Sequence, residues 1–206
     1  MKVIGVLLAG GRSSRMGGGD KCLRSLGGKP LLARVIERAR PQVAALALNV
    51  NGDPARFQEF RLPIIADSVL DFAGPLAGVL AGLDWAAQDG KGATHLASFA
   101  TDTPFLPRDL VSRLVASIES GTYDLACAAS AGLSHPVFGL WPIAIRGDLR
   151  RALLEDNIRK VDGFTARYRL ARVEFPHLPV DPFFNANRPE DLAEAERILA
   201  AAETRE

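Results

Sequence analysis

The segment from residue 7 to residue 21 constrains the fold of this chain more than any other. A short apolar run at residues 3–8 leads directly into a loop with five glycines, two arginines and a lysine. The run has the length and β-branching of a buried strand, and helical spacing begins after Pro30. Glycines let backbone N–H groups approach an anion closely, and cationic side chains neutralise its charge. The segment therefore predicts a strand, a loop and a helix that together bind a polyphosphate.

Two well-known phosphate-binding motifs do not fit this loop. A Walker A motif ends in Gly-Lys followed by Ser or Thr. The two Gly-Lys pairs of the chain are followed instead by Pro30 and Gly92. The dinucleotide motif Gly-x-Gly-x-x-Gly also fails, because Cys22 stands where the third glycine belongs. The loop is therefore of another kind.

Length and composition favour one soluble α/β domain over residues 1–206. A chain of 206 residues, 48% hydrophobic and 24% charged, suffices for one well-packed domain but not for two comfortable ones. Cys22 and Cys127 are the only cysteines, which gives neither a disulfide framework nor a metal-ligand spacing. The N-terminal run is too short and glycine-rich for a signal peptide, and nothing approaches a membrane span. We expect a cytoplasmic protein that does not bind membranes.

The charge distribution points to a small anionic substrate. The formal net charge of +1 argues against a general nucleic-acid binder. The first 40 residues nevertheless hold nine Lys and Arg residues and only two acidic ones. Positive charge is therefore concentrated around the glycine-rich loop, as a polyphosphate would favour.

Apolar segments alternate with helical patterns along the chain. Strands are predicted over residues 3–8, 43–50, 62–66, 94–100 and 125–129, with a turn into a further strand at 134–141. Helices of about ten residues or more separate most of them, which predicts a mostly parallel sheet with helices on both faces. Ligands of such sheets bind beyond the carboxyl ends of the strands. Asn49, Asp67 and Asp102 follow predicted strands, so we expect them to meet the glycine-rich loop in one crevice.

Several motifs in a fixed order resemble one family. They are the loop at 8–21, Gly-Lys-Pro-Leu at 28–31, Asp-Ser at 67–68, Gly-Pro-Leu-Ala-Gly at 74–78, Asp-Thr-Pro at 102–104, His-Pro at 135–136, and Asn-Ala-Asn with Pro-Glu-Asp-Leu at 185–192. Together they resemble the molybdenum cofactor guanylyltransferases along nearly the whole chain. The resemblance implies a single Rossmann-like domain, similar to the nucleotide-diphospho-sugar transferases. It also implies transfer of GMP from GTP to molybdopterin that carries molybdenum, with release of pyrophosphate.

The resemblance implies two sets of site residues. The GTP-binding set is Leu8, Ala9, Gly10, Lys21, Asn49, Asp67 and Asp102, and Asp102 would also hold Mg²⁺. The set on the pterin side is Gly74, Gly78, Arg159, Asn185 and Asn187. The sequence departs from the family at Cys22, where a small residue such as Ala or Gly is usual. We expect a monomer that takes GTP and molybdenum-loaded molybdopterin, with molybdoenzymes or cofactor-handling proteins as candidate recipients of the product.

The chemistry of such a transfer asks for these residue types. Arg15 and Lys21 would neutralise the β- and γ-phosphates, while Gly10 and Gly11 donate backbone N–H groups. Asp102 suits Mg²⁺, although an Asp before Pro104 also commonly stabilises a turn. A carboxylate can accept both N–H donors of guanine, which makes Asp67 a candidate, although a solvated loop aspartate has the same pattern.

Three alternatives stay open at this stage. A cytidylyltransferase acting on the same cofactor resembles this loop but typically carries Asp-Gln-Pro where Thr103 gives Asp-Thr-Pro. Sugar-phosphate nucleotidyltransferases share the glycine-rich opening but are usually longer. A nucleotide-binding regulatory module without turnover would be favoured by loss of Lys21 or Asp102, and both are present.

Two further residues have predicted structural roles. His135 is not needed as a catalytic base, since an acceptor phosphate is already ionised at neutral pH. We expect it to act in positioning or structure. Asn187 and Glu190 have the spacing of a capping box at the start of the final helix.

Overall fold

Strands and helices alternate along most of the chain in this computed structural model, which describes residues 1–9, 20–69, 74–89 and 92–203. The strands are β1 (Val3–Leu8), β2 (Ser25–Leu26), β3 (Lys29–Pro30), β4 (Leu46–Asn49), β5 (Ile64–Ile65), β6 (His95–Ala100), β7 (Leu125–Ser130), β8 (Leu133–Pro142) and β9 (Leu170–Phe175). The helices are α1 (Leu31–Ala39), α2 (Pro75–Asp89), α3 (Leu110–Ile118), α4 (Arg146–Leu154), α5 (Val161–Thr165) and α6 (Pro189–Glu203). Short 3-10 turns lie at Lys21–Leu23, Arg40–Gln42, Pro54–Phe60 and Ile143–Ile145.

Seven of these strands form one sheet in the order β5-β4-β1-β6-β8-β7-β9. Strands β5, β4, β1 and β6 run parallel, and β7 runs parallel to β9. Strand β8 is antiparallel to both of its neighbours, β6 and β7. The predicted α/β domain with a mostly parallel sheet is confirmed.

Side chains alternate along β1 between the two faces of the sheet. Val3 and Leu7 share one hydrophobic cluster with residues of α1 and α3, whereas Ile4 and Val6 share another with residues of α2 and α4. Both faces of this strand are therefore buried under helices, which is why its sequence is continuously apolar. The prediction of helices on both faces is confirmed.

Some element boundaries differ from those predicted. The strand predicted over 43–50 is confined to β4, and the one predicted over 62–66 is confined to β5. Strand β5 lies at the sheet edge, and only two of its residues pair with β4. The sequence pattern predicts neither α5 nor β9. No helix within the described ranges is long and apolar enough to cross a membrane.

Candidate active site

The carboxyl ends of three neighbouring strands meet around Leu8, the last residue of β1. Leu8 pairs with Asn49 at the end of β4 and with Ala100 at the end of β6. The Ala9 N–H donates to the Asn49 carbonyl at 2.9 Å, and the Thr101 hydroxyl donates to the Leu8 carbonyl at 3.2 Å. Backbone and side-chain hydrogen bonds therefore hold the start of the glycine-rich loop between the two strands that precede the predicted ligand-binding side chains.

Residues 10–19 of the predicted phosphate loop lie outside the described residues. The roles of Gly10, Gly11 and Arg15 accordingly stay predictions. The chain is described again at Asp20, whose Oδ2 lies 2.7 Å from Nη1 of Arg56. This ion pair ties the far end of the loop to the 3-10 turn Pro54–Phe60, a contact that no local sequence signal indicates.

A group of amide side chains surrounds Asp67. Its Oδ1 accepts a hydrogen bond from Asn49 Nδ2 at 2.9 Å, and its Oδ2 accepts one from Asn51 Nδ2 at 2.5 Å. Asn51 Oδ1 in turn accepts from the backbone N–H of Asp67 at 3.1 Å. Asn49 is 2% exposed, so the amide that orients Asp67 is itself fixed in the interior. Neutral amides therefore orient the carboxylate without neutralising it, and each of its oxygens has a second lone pair with which to accept.

Gly78 lets helix α2 approach this group closely. A Cβ at this position would lie 2.5 Å from Asn49 Oδ1 and 2.7 Å from Leu8 Cδ2. Gly78 therefore packs against two residues of the predicted GTP-binding set. A contact from Gly78 to the pterin stays a prediction.

We expect Gly78→Ala to lower the free energy of unfolding by about 1–3 kcal/mol, because the methyl group would overpack a buried contact. For a chain of this size, the melting temperature should fall by roughly 2–4 °C per kcal/mol. Gly147→Ala is the matched control, since a Cβ on Gly147 meets nothing within 4 Å and alanine is the better helix former. Thermal unfolding followed by circular dichroism measures both. Equal melting temperatures for the two variants would contradict the close approach at Gly78.

Lys21 joins three distant parts of the chain. Its Nζ lies 2.9 Å from Asp102 Oδ2 and also donates to Asn187 Oδ1. The side chains of Lys21 and Asp102 are 18% and 26% exposed, so the pair is sheltered yet open to a ligand. Two residues of the predicted GTP-binding set and one of the predicted pterin set therefore meet at the same point.

The segment 185–187 is fixed to the end of β6 by further contacts. The backbone N–H of Ala186 donates to the Asp102 carbonyl at 2.9 Å. The hydroxyl of Thr103 donates to Asn185 Oδ1 at 2.7 Å, and Thr103 is fully buried. The sequence indicates no role for Thr103 beyond its place in the Asp-Thr-Pro motif. The structure makes it the link between that motif and Asn185.

Asn187 does not cap α6 as the sequence predicts. The backbone N–H groups of Asn187 and Arg188 both donate to Asp191 Oδ2, at 2.8 and 2.7 Å. The capping box predicted from Asn187 and Glu190 is therefore wrong. The Asn187 side chain is drawn to Lys21 instead, and Asp191, one residue beyond Glu190, satisfies the N–H groups at the helix start.

Gly74 and Arg159, two residues of the predicted pterin set, are neighbours. A Cβ on Gly74 would lie 3.4 Å from the carbonyl oxygen of Arg159. Nε of Arg159 donates to Asn157 Oδ1 at 3.1 Å, which orients the guanidinium. Although 85 residues separate them in the chain, the fold brings the start of α2 next to the loop before α5.

Cys22, the departure from the family pattern, is a buried core residue. It is 5% exposed and belongs to the hydrophobic cluster beneath α1. Burial, assisted by the negative charge of Asp20, raises the pKa of its thiol to about 11. The thiol therefore stays protonated at neutral pH and packs as a small apolar group.

Asp102 is the carboxylate that the sequence predicts to bind a cation. Among the described residues, no group of three or more His, Cys, Asp or Glu side chains could hold a metal ion. Mg²⁺ commonly takes one or two carboxylates and completes its shell with water and phosphate oxygens. Asp102, a single partly exposed carboxylate, has the chemistry of a ligand for such an ion.

Comparison with known proteins extends these observations. The family model described as MobA-like NTP transferase domain matches residues 5–171. The molybdenum cofactor guanylyltransferase of a Bradyrhizobium species is 58% identical over 204 residues, which cover 99% of this chain and 96% of the relative. The protein of the same name from Rhodopseudomonas palustris is 63% identical over 193 residues, which cover 94% of this chain and 92% of the relative.

Solved structures share the fold. Molybdopterin-guanine dinucleotide biosynthesis protein A from Archaeoglobus fulgidus has a TM-score of 0.73 at 23% identity, over 96% of this chain and 99% of that one. A Mycobacterium tuberculosis protein in complex with manganese has a TM-score of 0.68 at 17% identity, over 96% and 99% of the two chains. At these identities the likeness concerns the fold alone. Because the family model covers most of the chain and the close relatives span almost all of it, the chain belongs to the MobA-like NTP transferases and, within them, to the molybdenum cofactor guanylyltransferases.

Proposed function

We propose that this protein transfers GMP from GTP to molybdenum-loaded molybdopterin, forming the guanine dinucleotide cofactor and releasing pyrophosphate. One observation carries the proposal beyond family membership: Lys21, Asp102 and Asn187 meet at the carboxyl edge of the sheet. This meeting point joins the residues proposed for the nucleotide to a residue proposed for the acceptor. A transfer reaction needs both substrates at one place.

The reaction needs positioning and charge stabilisation rather than a protein nucleophile. An oxygen of the acceptor phosphate attacks the α-phosphorus of GTP, and the bond from that phosphorus to the bridging oxygen of the leaving pyrophosphate breaks. Lys21 supplies a positive charge where negative charge builds on the pyrophosphate. The strand ends around Leu8 hold the two substrates in fixed relation, which lowers the entropic cost of their encounter.

Asp67 is proposed to read the base. Guanine presents two adjacent N–H donors, and the Asp67 carboxylate, oriented by Asn49 and Asn51, can accept both. The neighbouring amides have already fixed its direction, so little conformational freedom is lost on binding.

We propose Asp102 as the protein ligand of a divalent cation, with Mg²⁺ as the physiological ion. The manganese complex of the mycobacterial protein supports a divalent ion in this fold. When bound, such an ion neutralises phosphate charge and aligns the triphosphate. Asp102 would contribute one oxygen ligand, and the substrate phosphates the others.

The acceptor side is proposed to include Asn185, Asn187 and Arg159 with Gly74. Both asparagines use their amide oxygens in the contacts to Thr103 and Lys21. Their NH₂ groups are donors of the kind that bind phosphate oxygens, and the guanidinium of Arg159 binds phosphate in a bidentate manner. A monomeric state and a cytoplasmic location stay predictions.

Nucleotide choice tests the proposed function. With Mg²⁺ and molybdenum-loaded molybdopterin, we expect pyrophosphate release from GTP to be at least about tenfold faster than from CTP, because a paired contact to the base contributes about 1–3 kcal/mol. Asp67→Ala should abolish most of this preference. Asp109→Ala, which removes an exposed carboxylate before α3, is the control and should keep it. Equal turnover with CTP, or an unchanged preference in Asp67→Ala, would count against the role of Asp67.

A further inference from the structure

Ser130, His135 and Asp181 form a polar cluster at the same edge of the sheet. Ser130, the last residue of β7, is fully buried. Its Oγ lies 2.7 Å from His135 Nε2 and 2.9 and 3.0 Å from the two carboxylate oxygens of Asp181. Because β8 is antiparallel to both β6 and β7, its first residues lie at the edge where β6 ends, two residues before Asp102. The cluster is therefore on the active-site side of the sheet.

The hydrogen bonds of this cluster have only one consistent direction. A carboxylate accepts and does not donate, so the Ser130 hydroxyl donates its single proton to Asp181. The Ser130 oxygen then accepts from His135, which requires the tautomer with the proton on Nε2. Burial lowers the pKa of His135, although Asp181 and Glu174 oppose that shift, which agrees with a neutral ring.

This order excludes a nucleophilic triad. In a Ser-His-Asp triad the histidine accepts the serine proton and the carboxylate contacts the histidine. Here the serine lies between the other two side chains, and its proton already belongs to the bond with Asp181. The Ser130 oxygen is therefore not arranged as a nucleophile, and the hydrogen bonds of the cluster fix its side chains in place.

The cluster anchors residues 181–187, the segment that leads into the candidate active site. Asp181 Oδ1 also accepts the backbone N–H of Phe183 at 2.9 Å. The Phe183 ring stacks on the imidazole of His135, with ring centroids 4.6 Å apart. The chain continues directly into the segment 185–187, whose contacts with Lys21, Thr103 and the Asp102 carbonyl are described above. One end of the segment 181–187 is thus anchored by the cluster. The other end is anchored by its contacts with Lys21, Thr103 and the Asp102 carbonyl.

We propose that Ser130, His135 and Asp181 are positioning residues that set the conformation of residues 181–187 and thereby the placement of Asn185 and Asn187 against the phosphate of the acceptor. The identity of the acceptor rests on the proposed function. The positioning role does not rest on the proposed function, because it concerns only the backbone conformation of residues 181–187.

Amide hydrogen exchange measured by NMR tests the positioning role without any substrate. In Ser130→Ala, we expect the amides of Phe183 and Ala186 to exchange at least about tenfold faster, because the bridge between Asp181 and His135 is lost. Amides in the centre of β1 and β6 should keep their protection. Unchanged exchange at Phe183 and Ala186, or an equal increase throughout the sheet, would overturn the proposal.

Two histidine variants keep the test decisive if Ser130→Ala folds poorly. His135→Gln retains an amide N–H that can reach Ser130, whereas His135→Ala retains neither the donor nor the ring. We expect the local increase in exchange in His135→Ala and a smaller one in His135→Gln. His95→Gln is the matched control, since His95 lies at the opposite edge of the sheet, at the start of β6. The proposal fails if the amides of Phe183 and Ala186 exchange at the same rate in His135→Gln as in His135→Ala. It also fails if His95→Gln speeds exchange at these two amides.

The ¹⁵N shifts of the His135 ring provide a second signature. Wild type should show the neutral form protonated on Nε2, and Ser130→Ala should shift the ring toward a mixture of tautomers. A wild-type ring protonated only on Nδ1 would overturn the assigned hydrogen-bond direction and with it the cluster.

Steady-state kinetics link the positioning role to the reaction. We expect Ser130→Ala and His135→Ala to raise the KM for molybdopterin about tenfold while the KM for GTP changes less than about threefold. Equal increases in both constants would contradict a role specific to the acceptor. If the wild-type protein transfers no GMP to molybdopterin, the proposed function fails, and hydrogen exchange still decides the positioning role.

Discussion

Asp102→Asn is expected to reduce GMP transfer by about 10²- to 10³-fold, because loss of one well-placed charge stabiliser has an effect of this size on acyl and phosphoryl transfer. The asparagine keeps the shape of the side chain and the backbone bond from Ala186, so folding should change little. Metal-free GTP should bind at least as tightly as in wild type, since Lys21 no longer has the carboxylate as its partner. Product formation across a Mg²⁺ titration and GTP binding in EDTA measure the two effects.

Asp109→Asn is the control for this substitution, because Asp109 is an exposed aspartate of the same α/β crossover and its ion pair with Arg113 is long, at 3.9 Å. It should behave as wild type in both assays. An Asp102→Asn enzyme with normal turnover and normal Mg²⁺ dependence would end the assignment of Asp102 as the metal ligand.

Lys21→Ala is expected to weaken GTP binding by about ten- to a hundredfold and to slow transfer further, because a charged hydrogen bond to phosphate contributes about 1.5–3 kcal/mol. The side chain lies at the sheet edge and contributes to no hydrophobic cluster among the described residues. The melting temperature should therefore change little. Isothermal titration with GTP, together with circular dichroism, measures both quantities.

Lys29→Ala provides the matched comparison. Lys29 lies eight residues further on, and its ammonium forms an exposed ion pair with Glu37 at 2.7 Å. Such a surface pair contributes little to stability, and this lysine faces solvent, so binding and turnover should stay at the wild-type level. If Lys21→Ala unfolds the protein while activity per folded molecule is unchanged, Lys21 has a structural role instead.

Much of the site could be predicted because it depends on neighbouring strands running in the same direction. Asn49 and Asp102 each lie at or just beyond the end of a strand parallel to β1, and the carboxyl ends of parallel strands share one edge. Strand order alone therefore brings them to the glycine-rich loop. The contacts of Asn49 with Asp67 and of Lys21 with Asp102 follow from the same geometry.

Other features could not be predicted because they depend on contacts between distant residues. Strand β9 carries Arg172 and Glu174, and its pairing with β7 is decided by the sheet edge rather than by a local apolar pattern. The capping register at α6 shifted because Lys21, more than 160 residues away, binds the Asn187 side chain. Ser130 and Asp181 are separated by 51 positions, and no motif connects them.

In the ion pair between Lys21 and Asp102, each side chain acts as the counterion of the other. With the ammonium and the carboxylate 2.9 Å apart, neither a free phosphate nor a free cation encounters a full unpaired charge there. Either ligand alone would have to separate the pair and leave one half without a partner. A nucleotide that arrives with its cation offers a new partner to both halves at once. On the proposed roles of Lys21 and Asp102, we therefore expect the site to favour a nucleotide bound to its cation over either ligand alone.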